Sequence, residues 1–132
     1  MSFSWPVRVY YEDTDAGGVV YYANYLKFME RARTEWLRAA GFEQPELLRD
    51  FSVIFVVRSV TIEYLAPARF NDELQISVRL EKLGRSSIEV AQTVARDTVL
   101  AEARIKIVCV DGTSFKPVSL PAAIRQQLED RS

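Results

Sequence analysis

The segment Tyr10–Tyr25 reads YYEDTDAGGVVYYANY, and its residue types could do chemistry. Two carboxylates, Asp13 and Asp15, come just before the glycine pair Gly17-Gly18. Four apolar or aromatic residues follow, and a helical pattern begins near Asn24. This order brings a negative side chain close to the free backbone N–H groups of a helix start. Attack on a carbonyl needs both parts: a carboxylate that attacks or takes a proton, and donors that hold the developing oxyanion. The spacing alone fits a plain turn at least as well, because Asp residues before glycine are common turn formers. Gly17 and Gly18 serve a φ > 0 turn in either reading.

Composition narrows the chemistry. The chain has no histidine and a single cysteine, Cys109. That excludes imidazole triads and dyads, histidine metal sites and cysteine zinc clusters. Any reaction must run on carboxylates, hydroxyls, Lys, Arg and backbone donors, and no metal or cofactor is expected. Cys109 is read as a buried packing residue. A lone cysteine makes no internal disulfide, which suits a reducing cytoplasm. MSFSWPVRVYYED lacks a basic segment followed by an apolar core, so no signal peptide is expected. No apolar run approaches the length of a membrane span. Charges nearly cancel, with 17 Lys and Arg against 18 Asp and Glu, which argues against nucleic acid as a partner. The length of 132 residues fits one domain over 1–132, and 48% hydrophobic content supports a core.

Elements must position these residues. Alternation over Val7–Glu12 predicts a first strand, with Val7, Val9 and Tyr11 on one face. A helix is predicted from Asn24, a candidate N-cap, to Ala40, with Gly41 as its stop. On a helical wheel, Tyr25, Phe28, Met29, Ala32, Trp36, Ala39 and Ala40 form an apolar arc flanked by Leu26 and Leu37. That arc is wider than a surface helix needs, so the helix is expected to sit inside a curved partner. Arg33 falls within the arc and is expected to reach a carboxylate or the edge of the core. Glu43–Phe51 reads as a short helix or loop. Strand-like runs follow at Val53–Leu65, Leu74–Glu81, Ile88–Val94 and Ala101–Cys109, forming a meander. Turns are expected at Gly84-Arg85-Ser86, Asp97-Thr98 and Asp111-Gly112. Gln92 falls on an inward face. Phe115-Lys116-Pro117 is a candidate edge strand and Pro121–Leu128 a short helix. The fold class is α+β: an antiparallel sheet of about five strands wrapped around one long central helix.

The same residues carry a resemblance. Glu12-Asp13-Thr14-Asp15-Ala16-Gly17-Gly18-Val19-Val20-Tyr21, then Ala23-Asn24-Tyr25, then Glu30-Arg31-Ala32-Arg33-Thr34-Glu35, resembles the hot-dog-fold acyl-CoA thioesterases. The similarity is to the 4-hydroxybenzoyl-CoA thioesterase family, and within it to the Tol–Pal-associated branch of Gram-negative bacteria. It continues through Phe55-Val56-Val57-Arg58, Glu63-Tyr64, Ala66-Pro67-Ala68-Arg69 and Val108-Cys109-Val110-Asp111. The resemblance implies a hot-dog fold, homodimers with a continuous sheet, often paired into homotetramers, and active sites at the dimer interface. It implies an acyl-CoA substrate cleaved to a free acid and CoA. Asp15 then takes the position of the catalytic carboxylate, as nucleophile or general base, and the Tyr22 backbone N–H that of the oxyanion donor. Gly18, Tyr25, Arg85, Ser86 and Ser87 are the candidate substrate contacts, with the serines facing the thioester from the partner subunit. Arg58, Arg69, Arg85 and Lys82 are candidates for the CoA phosphates. Glu30 is the reserve catalytic carboxylate, and Asp13 is expected to be structural. The Tol–Pal branch usually has histidine where this chain has Tyr22, whereas the 4-hydroxybenzoyl branch has an aromatic residue there. The alternative function is a non-catalytic hot-dog partner protein that binds acyl carrier protein or a lipid-synthesis enzyme. A hot-dog dehydratase fits poorly, because such enzymes typically pair a histidine with an acidic residue.

Overall fold

The alternating runs form one curved antiparallel sheet, and its apolar face closes on a helix. The computed structural model describes residues 3–131. Met1 and Ser2, part of the stretch read for a signal peptide, lie outside the described residues, as does Ser132. The strands are β1 (Phe3–Arg8), β2 (Val53–Tyr64), β3 (Glu73–Leu83), β4 (Ser87–Ala95) and β5 (Val99–Asp111). The helices are α1 (Asn24–Ala39), α2 (Gln44–Phe51) and α3 (Ala122–Arg131). The sheet runs β1-β3-β4-β5-β2, so β3, β4 and β5 form the meander while β2 crosses to the far edge beside β5. The expected position of β2 next to β3 is therefore corrected. Residues 65–72 make the crossing, and they pass beneath the Asp15 loop.

α1 fills the concave face. Phe28, Met29 and Ala32 are fully buried, as are Leu74, Ile76 and Val78 of β3, which faces α1. Each large side chain buried in this way contributes about 1.5–3 kcal/mol. Ala39, placed in the arc by the wheel, is exposed, as is Leu26 at the rim. Gly41, at φ +98°, ends the helix: its N–H reaches Arg38 O at 3.0 Å, and the Phe42 N–H reaches Leu37 O at 2.9 Å. Arg33 meets no carboxylate among the described residues. Its Nη1 donates to Gln92 Oε1 at 3.0 Å, and Gln92 Nε2 donates to Met29 O at 3.0 Å. Burial pushes the Arg33 guanidinium below its ordinary value, and the nearby Glu30 charge opposes that shift.

Three local expectations change. β1 ends at Arg8, and Tyr11–Asp13 is a 3₁₀ turn. The Asp13 carboxylate takes the Tyr10 N–H at 2.8 Å, which bends the chain and leaves Tyr11 75% exposed rather than inward. Phe115–Pro117 is no strand: one bridge joins Pro117 to Val110. α3 runs past Leu128 to Arg131. At the Asp111-Gly112 turn, Asp111 Oδ2 accepts the N–H groups of Thr113 at 3.0 Å and Ser114 at 2.8 Å. Gly112 donates to Ser52 O at 2.8 Å, and a Cβ there would lie 2.4 Å from Leu48 Cδ1. Among the described residues, no helix is long and apolar enough to cross a membrane.

Candidate active site

The Asp15 loop is a tight antiparallel excursion between β1 and α1. Thr14 bridges Val20, the Asp15 N–H reaches Val19 O at 2.9 Å, and the Gly18 N–H returns to Asp15 O at 3.0 Å. Gly18 sits at φ +79°, a conformation L side chains resist, with open space around it. Asp15 is exposed. Its Oδ1 accepts the Gly17 N–H at 2.8 Å, while Oδ2 has no hydrogen bond among the described residues. One oxygen is thus held by the turn and the other points to solvent. The turn reading and the catalytic reading describe the same carboxylate.

The second arm of the loop leads into the start of α1. Tyr21 donates its N–H to Asp13 O at 2.9 Å, and the Asn24 N–H returns to Tyr21 O at 2.8 Å. Between them, the Tyr22 N–H has no acceptor among the described residues. A donor left open at a helix start is the group a developing oxyanion needs. Asn24 is the first helical residue rather than the cap, which is Ala23. Its side chain turns inward instead, and Nδ2 donates to Asp13 O at 2.9 Å in a buried bond. Asp13 is buried and committed to Tyr10, a structural position.

A cleft of about 300 Å3 opens beside Tyr22, lined by Val20, Tyr25, Tyr64, Leu65, Ala66 and Pro67 as well. Tyr25 is almost fully buried, and its Oη accepts the Ala68 N–H at 2.9 Å. Tyr64, the last residue of β2, donates its hydroxyl to Tyr22 O at 2.9 Å. Its ring meets those of Tyr22 and Tyr25 at centroid distances of 6.1 and 5.3 Å. Burial, then Tyr22 and Tyr25, push the Tyr64 hydroxyl above its ordinary value. Tyr64 did not stand out from the sequence by any role. Its signal was weak: an aromatic with a polar tip at the end of a long strand-like run.

The other candidates lie elsewhere in the chain. Arg85, Ser86 and Ser87 occupy the β3–β4 turn and the start of β4. Ser87 is opposite Val108, whereas Val94 is opposite Ala101, the partner of Tyr64. At about 3.3 Å per residue, that run spans roughly 20 Å. One chain therefore does not bring the serines to Asp15. Arg58 is exposed at the β2 bulge, and Lys82 is exposed at the β3 bulge. Arg69 is the exception, because it bridges Val19 beside the loop. Glu30 is exposed, and its Oε1 accepts the Thr34 hydroxyl at 3.2 Å. Cys109 is fully buried, and burial pushes its thiol up to about 11.

A family model described as the thioesterase-like superfamily matches residues 9–128. The chain belongs to that superfamily. It is 51% identical over 124 residues to an acyl-CoA thioester hydrolase, YbgC, of Escherichia coli O6:H1, covering 92% of each chain. It is 35% identical over 130 residues to a 1,4-dihydroxy-2-naphthoyl-CoA hydrolase of Nostoc punctiforme, covering 98% of this chain and 88% of that one. Among solved structures, a probable thioesterase from Bartonella henselae superposes with a TM-score of 0.88 at 34% identity. That alignment covers 92% of this chain and all (100%) of the other. The hot-dog fold and the thioester-hydrolase class stand on these likenesses and on the sheet-and-helix architecture. The Tol–Pal assignment rests on the motif alone.

Proposed function

We propose that this thioesterase hydrolyses acyl-CoA to a free acid and CoA, with Asp15 as the reacting carboxylate and the Tyr22 N–H as oxyanion donor. One observation carries the reading. A half-free carboxylate and an unpartnered N–H stand on the two arms of one bridged loop, beside an aromatic cleft. The thioester carbonyl oxygen would sit against Tyr22 N–H, where the α1 dipole favours negative charge. In one route Asp15 attacks the carbonyl carbon, the C–S bond breaks, and water then cleaves the mixed anhydride. In the other, Asp15 takes a proton from water as the hydroxide attacks. In both, CoA leaves as a thiolate and takes up a proton, so no strong acid is needed at the leaving group.

The site is proposed to be completed by a second copy of the chain. Among the described residues, β2 pairs only with β5, and it exposes Val57 and Val60. An antiparallel pairing of two β2 strands about a twofold axis would set the Tyr64 end of one chain against the Val53 end of the other. A cavity of about 120 Å3 lies at that Val53 end, between Arg33, Trp36, Leu37, Phe55, Val57 and Ile107. The same pairing would carry Ser86 and Ser87 of one chain toward the loop of its partner. Gly18 and Arg69 would lie beside the bound thioester in their own chain. The proposed location is the cytoplasm, in keeping with a single free thiol. The experiment is a panel of acyl-CoAs from acetyl to palmitoyl with an aromatic thioester included, with the molecular mass measured alongside. Hydrolysis above background by a dimer or tetramer is expected. A folded protein inactive across the panel overturns the reading.

A further inference from the structure

We propose that Tyr64 is a positioning residue whose hydroxyl fixes the backbone at Tyr22 so that the oxyanion donor is aimed. The inference rests on the assignment of the Tyr22 N–H as that donor. Residue 22 is flanked by two peptide planes. The first, carrying Tyr21 O and the Tyr22 N–H, is pinned by the Asn24 N–H at 2.8 Å. The second, carrying Tyr22 O, has no backbone donor among the described residues. Leu26, which in a regular α-helix would supply one, gives its N–H to Ala23 O at 3.1 Å instead. The Tyr64 hydroxyl fills that gap at 2.9 Å, from a strand 42 residues away in sequence.

The anchor is itself held. Tyr64 ends β2, its ring packs edge-on against Tyr22 and Tyr25, and Leu65 and Ala66 donate their N–H groups to Leu100 O at 2.8 and 3.1 Å. A tyrosine hydroxyl is protonated at neutral pH, and burial shifts this one further in the same direction. Without this bond, the 22–23 peptide can turn, and the N–H of residue 22 loses one of its two constraints. A donor that must be reorganised during the reaction stabilises less than one already in place.

Tyr64→Phe tests this, because it removes the hydroxyl and keeps the ring. Two readouts are taken: kcat and KM on the best acyl-CoA, and the backbone order parameter at Tyr22 by nitrogen-15 relaxation. The expected result is a fall in kcat of roughly 10-fold with KM within twofold, less than the loss expected for deleting a donor outright. The order parameter at Tyr22 should drop from about 0.85 toward 0.6. An unchanged kcat, a change in KM alone, or an unchanged order parameter each overturns the proposal. If the parent hydrolyses no thioester, the functional reading fails, and the order parameter still decides whether Tyr64 holds residue 22.

Discussion

At the β3–β4 end of the sheet, the turn groups are taken by the rest of the chain. Arg85 O accepts the Leu120 N–H at 2.8 Å, Ser86 O accepts the Cys109 N–H at 2.7 Å, and Arg125 of α3 reaches Gly84 O. At the Tyr64 end, the Tyr22 N–H and one Asp15 oxygen are left without partners among the described residues. Both ends are glycine-containing turns with short polar side chains, Ser86 and Ser87 at one and Asp13, Thr14 and Asp15 at the other. What separates them is what the neighbouring elements bring: α3 closes one end, while the start of α1 and the end of β2 frame the other and leave it open. Asp15 and Tyr22 are exposed, so water satisfies their open groups and the open end carries no desolvation cost.

Substitution at each end should break this contrast in a different currency. The largest effect is expected for Asp15→Asn: a loss of kcat/KM on the order of 10²–10⁴ with an unchanged melting temperature, read by acyl-CoA hydrolysis and calorimetry. Leu128→Ala, at a fully buried position in α3, should do the reverse. Unfolding in denaturant should show a loss of about 2–5 kcal/mol, while kcat per folded molecule holds. Asn24→Ala should fall between, removing about 1 kcal/mol, because Asp13 O keeps the Tyr21 N–H. Its melting point should drop a few degrees and its kcat with it.

The smallest effects are pH-dependent and have opposite signs at the two ends. Burial draws the Asp72 carboxyl upward, but the Arg69 N–H and the Arg96 guanidinium outweigh it and hold it below the usual range. Asp72 therefore stabilises the loop side above the ordinary carboxylate value, and that contribution is lost as pH falls through the depressed one. Cys109 is the opposite case. Burial raises its thiol from 9.0 to about 11, so the neutral form stabilises the closed end below pH 9.0 and the contribution fades as pH rises through 11. Melting curves across pH should show the acid limb flattened in Asp72→Asn and the alkaline limb flattened in Cys109→Ala.

Much of this was legible in the sequence. The arc of α1 and the alternation of β3, β4 and β5 are local periodicities, and local periodicities survive folding when one face is buried. The position of β2 was not legible, because alternation says which face of a strand is apolar and nothing about which strand it pairs with. β1 was placed too late in the chain, because Asp13 captures the Tyr10 N–H and cuts short an alternation that looked continuous. At the candidate site, the turn through Asp15 and Gly18 could be read because its geometry is carried by a few adjacent residues. Tyr64 could not, since its contact with Tyr22 exists only once β2 and α1 meet. Arg33 could be read as an outlier, but its partner Gln92 shows only when β4 is laid under α1.

The Asp111-Gly112 turn bears on how the chain ages. Such a dipeptide isomerises when the glycine nitrogen attacks the aspartate side-chain carbon to close a five-membered imide. Here that nitrogen is occupied by Ser52 O, and the carboxylate is held by Thr113 and Ser114, which keep it ionised and a poor electrophile. Isoaspartate should therefore accumulate slowly in folded stocks and quickly in unfolded ones, making that single linkage a chemical clock for time spent unfolded.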